Sequence, residues 1–132
     1  MTTPNGRDLD VELARLMGWV WKLLPNGRVF RPADWDNGMV VRDATEADPI
    51  HANETCWYLP EYHRSLDALF APGGPVEFAR SKGWWVAIED AGDGWQATIS
   101  KRQDSYEYGP MLPDPASALA TALYEAFKEM ER

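Results

Sequence analysis

The chain has 132 residues, a formal net charge of −8, 45% hydrophobic and 12% aromatic residues, and seven tryptophans. Such a length suits one domain with its own core, the aromatic content excludes wholesale disorder, and no apolar run nears the roughly 18 residues of a membrane span. A single cysteine, Cys56, permits no internal disulfide, and the polar start lacks the apolar stretch of a secretion signal, so a cytoplasmic location is expected.

Residues 1–7 read as a flexible N-terminal arm and 8–132 as one domain. Asp8 is a candidate cap for a helix with Leu9, Leu13, Leu16 and Met17 on one face, stopped at Gly18. Trp19 to Leu24 is rich in aromatic and branched residues and predicts a strand. The turn Pro25-Asn26-Gly27-Arg28 leads to a partner strand near Val29–Arg31, cut short by Pro32.

Residues 32–61 form a long excursion with seven acidic side chains and three prolines. Loops of that length in small domains tend to carry function. Tyr62 to Lys82 predicts a helix, with Ser65 as a cap and a break at Pro72-Gly73-Gly74-Pro75, where proline removes a donor and clashes with the preceding turn. Trp84–Glu89 and Trp95–Ser100 predict a hairpin about Gly92-Asp93-Gly94, with Trp95, Ala97 and Ile99 on the buried face. Tyr106 and Tyr108 suggest an edge strand. Asp114 and Pro115 then open a final amphipathic helix along Ala118, Leu119, Ala122, Leu123, Ala126, Phe127 and Met130. The expected class is α+β: an antiparallel sheet of about four strands covered by two or three helices, a layered α/β sandwich.

The segment Leu13-Ala-Arg-Leu-Met-Gly-Trp19, then Leu59-Pro-Glu-Tyr62 leading into Ser65-Leu-Asp-Ala68, a Trp-containing hairpin and the Ala- and Leu-rich helix over Ala116–Ala126 resemble the phage ABA sandwich domain family. The resemblance covers about two-thirds of the chain and is one of order and texture. It departs at the inserted His63-Arg64, at the Pro-Gly-Gly-Pro break and in the acidic excursion. It implies a bacteriophage or prophage origin, a layered α/β domain and a place in the cytoplasm of an infected bacterial host. It implies no reaction.

His51, Glu54, Cys56, His63 and Asp67 are the one close grouping of reactive residue types. The spacing His-x4-Cys-x6-His matches no common zinc knuckle. A Cys56–His63 nucleophile pair would need an orienting group, and Asp67, four residues beyond His63, has the helical spacing for it. Asp34/Asp36 and Glu89/Asp90 are paired carboxylates without a catalytic setting. No phosphate-binding glycine loop and no hydrolase or metalloprotease motif occurs.

Charge is uneven. Residues 31–63 sum to −5 and 103–132 to −4, whereas 1–30 sum to +1 and 64–102 to zero. An acidic chain repels phosphate, so direct nucleic-acid binding is not expected; the same charge suits a basic protein surface. The expected function is therefore a phage-encoded, non-enzymatic binding protein that inhibits a bacterial host protein. Its most specific form is a host-defence (anti-CRISPR) inhibitor acting on a nucleic-acid-binding defence complex. The acidic contacts would be Asp34, Asp36, Asp43, Glu46, Asp48 and Glu54, with Trp35 and Trp57 as aromatic anchors. No cofactor, metal or membrane is expected. The alternatives are a self-associating or adaptor protein of a phage, with a homodimer through the Tyr106–Tyr108 edge, and a small enzyme or metal-binding protein using His51, Cys56 and His63.

Overall fold

In the computed structural model, which describes residues 3–24, 27–32, 59–102 and 105–130, the first helix, α1, spans Gly6–Leu16 and buries Leu9, Asp10, Leu13 and Ala14. It starts three residues ahead of the helix expected after an Asp8 cap. Asn5 is the capping residue, without a side-chain bond, and Asp8 lies in the first turn, where a negative charge complements the helix dipole. Gly18 ends the helix at φ +102°, a conformation that side chains disfavour. Strands β1 (Trp19–Leu24) and β2 (Gly27–Pro32) follow as an antiparallel hairpin, with Trp19 opposite Pro32 and Leu24 opposite Gly27. Pro32 closes the strand at its last position, where a missing donor costs least.

The interrupted helix resolves into α2 (Leu66–Phe70) and α3 (Pro75–Ser81). Ser65 caps α2, its Oγ accepting from the Ala68 N–H at 3.1 Å. Tyr62–Arg64 form a turn rather than the first helical residues. The break has a steric reason beyond its prolines, since a Cβ at Gly74 would lie 2.8 Å from the Ala68 carbonyl oxygen.

Strands β3 (Trp85–Asp90), β4 (Trp95–Arg102) and β5 (Ser105–Tyr108) form an antiparallel sheet in the order β3-β4-β5. Trp85 stands opposite Ser100, Asp90 opposite Trp95, and Thr98 opposite Tyr108. Helix α4 (Pro115–Glu129) is capped by Asp114, whose carboxylate accepts from the Ser117 N–H at 2.9 Å. The described residues thus give an α+β fold whose largest sheet has three antiparallel strands, beside the separate two-stranded hairpin. No helix among them is long and apolar enough to cross a membrane.

Helix α4 organises the core. It packs against β4 and β3 on one side and against α1, α2 and α3 on others. This is why its burial is wider than the predicted stripe: Ala120, Thr121 and Tyr124 are buried along with Leu119, Leu123 and Phe127. Phe127 sits between Phe78, edge-on at 5.1 Å, and Trp84 at 5.9 Å. Alternation along β4 holds for Ala97 and Ile99, but Thr98 and Ser100 on the opposite face are also buried. Small side chains on a central strand are screened when their cross-strand neighbours are as large as Tyr108 and Trp85.

Candidate functional site

Two assemblies stand out, one buried and polar, one exposed and aromatic. The polar one joins α1 to the segment entering α2. Asp10 is wholly inaccessible to solvent. Its Oδ1 accepts from the His63 backbone N–H at 2.8 Å, and its Oδ2 lies 2.8 Å from both His63 Nδ1 and Arg7 Nη1. Arg7 also donates to the carbonyls of Leu59 (2.9 Å) and Pro60 (3.2 Å), and Ser117 Oγ donates to the His63 carbonyl at 2.8 Å. A buried carboxylate is costly unless paired and hydrogen-bonded. Here a guanidinium and two donors from one residue meet that demand.

The orienting partner of His63 is therefore Asp10, 53 residues away in sequence, and not Asp67, which is exposed. Burial and the nearby Asp10 charge push the Tyr62 phenol well above its usual range. A shallow concavity of about 320 Å³ flanks the cluster between Arg64–Asp67 and Asp114–Ala116. Two of its polar side chains, Ser65 and Asp114, are engaged as helix caps. Side chains of α1 (Arg7, Asp10) and of the start of α4 (Ser117) bond backbone groups of Leu59, Pro60 and His63, which makes the assembly a clamp between α1, residues 59–63 and the start of α4.

The aromatic assembly occupies the face of the β3–β4–β5 sheet that points away from α4. Trp85 is 57% exposed, Tyr106 56% and Tyr108 66%. Trp84 and Trp85 divide as strand geometry requires, Trp84 packing on Phe127 and Trp85 standing on the open face. The Trp85 and Tyr106 rings meet edge-to-face with centroids 6.4 Å apart, a favoured geometry for such a pair. Together with Gly83, Ser100 and Arg102 they line a concavity of about 310 Å³. Arg102 is exposed and supplies a cation at one end of the face, while Glu89 lies exposed at the other.

The back of β5 carries a different chemistry. Glu107 turns toward α4 and lies 3.6 Å from Lys101 Nζ, which also donates to Glu129 (2.8 Å) and to the Ala126 carbonyl (2.9 Å). Burial holds Glu107 above the usual carboxylate range; Lys101 opposes this and Glu129 reinforces it. A groove of about 360 Å³ runs between β5 and α4, lined by Glu107, Tyr108, Gly109, Ala122, Glu125 and Glu129.

Of the residues named from sequence, Asp34, Trp35, Asp36, Asp43, Glu46, Asp48, His51, Glu54, Cys56 and Trp57 lie outside the described residues. His63 is brought to Asp10 as described. Among the described residues no group of three or more His, Cys, Asp or Glu converges as for a metal. The sequence reading placed Tyr106 and Tyr108 on an edge strand, yet it missed Trp85 and Arg102 as their companions. The signal was available in the hairpin register, which sets Trp85 opposite Ser100, two residues before Arg102. No protein-family model, no curated protein and no solved structure matches the chain.

Proposed function

We propose that this chain is a non-enzymatic binding protein that docks on a bacterial host protein through the open face of its three-stranded sheet. The observation that supports this is the exposure of Trp85, Tyr106 and Tyr108 together on one face. Rings of that size leave roughly 300 Å² of aromatic surface in water, the scale of the largest apolar patch on a monomeric domain, which is often functional. Tryptophan and tyrosine are also the side chains that most often dominate binding energy. Ser100 and Arg102 at the patch add a hydroxyl and a guanidinium that can fix the orientation of a docked chain.

The biological setting comes from the resemblance stated above: a phage-encoded inhibitor of host defence, an anti-CRISPR protein in its most specific form. The acidic residues Asp34, Asp36, Asp43, Glu46, Asp48 and Glu54 would add electrostatic steering toward a basic partner, with Trp35 and Trp57 as further anchors. The finer architecture, about four strands in a layered α/β sandwich, rests on the order of elements in the sequence and on the same resemblance. The test is capture of host proteins by the wild-type chain and by a Trp85→Ala/Tyr106→Ala variant, followed by titration of the purified partner. At least a tenfold loss of affinity in a variant that keeps its fold is expected. Equal affinity would contradict the proposal.

A further inference from the structure

Resting on that reading, we infer that the partner is engaged as an extended polypeptide strand added to the outer edge of β5, which no other described strand covers. Its apolar side chains would lie against Tyr106 and Tyr108, and its basic side chains would turn the other way toward Glu107 and Glu125. Among the described residues β5 pairs only with β4. The Gly109 N–H bonds the Ala97 carbonyl at 2.9 Å. In an antiparallel ladder alternate residues face the partner strand, so Tyr108 and Tyr106 turn their N–H and C=O groups outward. Backbone groups so turned, which no strand among the described residues pairs, are a template for another strand.

The two sides of this edge differ. Tyr106 and Tyr108 stand exposed on the open face, whereas Glu107 borders the groove shared with Glu125 and Glu129. Side chains of an added strand also alternate between faces. A segment that reads apolar, basic, apolar, basic therefore satisfies both faces at once. Charge selects it over the two other occupants of a sheet edge. A second copy paired antiparallel about Glu107 would set the two Glu107 side chains directly opposite, and like charges so placed are destabilising. A nucleic acid would bring phosphates to them.

The probe is a blocked heptapeptide alternating lysine and valine, titrated into the full chain and followed by amide exchange and ¹H–¹⁵N spectra. Saturable binding is expected, at least tenfold tighter than a control of equal composition with its lysines and valines in two blocks. The Tyr106 and Tyr108 amides should exchange at least tenfold more slowly when the peptide is bound. Glu107→Lys combined with Glu125→Lys should weaken binding at least tenfold, and Tyr108→Pro, which removes an outward donor at a sheet edge, should do the same. Equal affinity for the block peptide, or binding without protection of those two amides, would overturn the inference. So would protection that appears without peptide as the protein self-associates. If the peptide fails while a captured partner still depends on Trp85, the strand inference falls and the binding function stands. If the Trp85→Ala/Tyr106→Ala variant captures all that the wild type does, the binding function falls with it.

Discussion

Asp10 Oδ2 and His63 Nδ1 lie 2.8 Å apart although 53 residues separate them, and this contact ties the first helix to the chain as it enters α2. The same carboxylate accepts the His63 backbone N–H, so one buried side chain fixes both the ring and the backbone of its partner. Asp10→Ala leaves the His63 N–H and ring nitrogen without their acceptor. Leaving buried donors unsatisfied costs about 1–3 kcal/mol each, so a loss of about 3 kcal/mol is expected in urea denaturation. A His63→Ala change should cost less, and the double mutant should show coupling between the two sites. Strict additivity would mean that the clamp contributes little.

Tyr62 sets the behaviour at alkaline pH. Its folded-state pKa is raised by burial and by Asp10, so the unfolded phenol ionises first, near pH 10. The stability tied to the neutral phenol is complete below that value and is lost as pH rises above it. Tyr62→Phe should remove this part of the alkaline decline while leaving the curve below pH 9 with the same slope. Thermal melts between pH 7 and 11 check both statements.

Gly109 permits the close approach of β5 to α4. A Cβ there would lie 2.6 Å from the Ala122 Cβ, so Gly109→Ala forces the sheet edge away from the helix. Overpacking of this kind costs about 1–3 kcal/mol, and a lowered melting temperature is expected. Combining it with Ala122→Gly should recover part of the loss, which separates a steric cause from a loss of backbone freedom.

Local signals made much of this fold legible. Asp114 and Pro115 announced α4, Ser65 announced α2, the Pro72–Pro75 run announced the break, and Gly92-Asp93-Gly94 announced the β3–β4 hairpin. Each depends on neighbours within a few residues. The Asp10–His63 contact does not, and the helical spacing of Asp67 pointed to the wrong carboxylate because residues 62–64 form a turn. The burial of Thr98 and Ser100 was hidden for a related reason, since it depends on which large side chains stand beside them across strands. The aromatic face was half legible: Tyr106 and Tyr108 share a side by alternation, while the meeting of Tyr106 with Trp85 requires the order of three strands.

Surface aromatics separate stability from binding. Trp85→Ala and Tyr106→Ala remove exposed rings whose main described contact is with each other, so each should change stability by no more than about 1 kcal/mol. Denaturation midpoints close to wild type are expected, even where partner binding is lost.

The most direct test of the sheet face as a docking surface is an assigned ¹H–¹⁵N spectrum of the chain titrated with its purified partner. The largest shifts should fall on the Trp85 indole and on the amides of Ser100, Arg102, Tyr106 and Tyr108. Saturating shifts confined to other surfaces, with these signals unmoved, would contradict it.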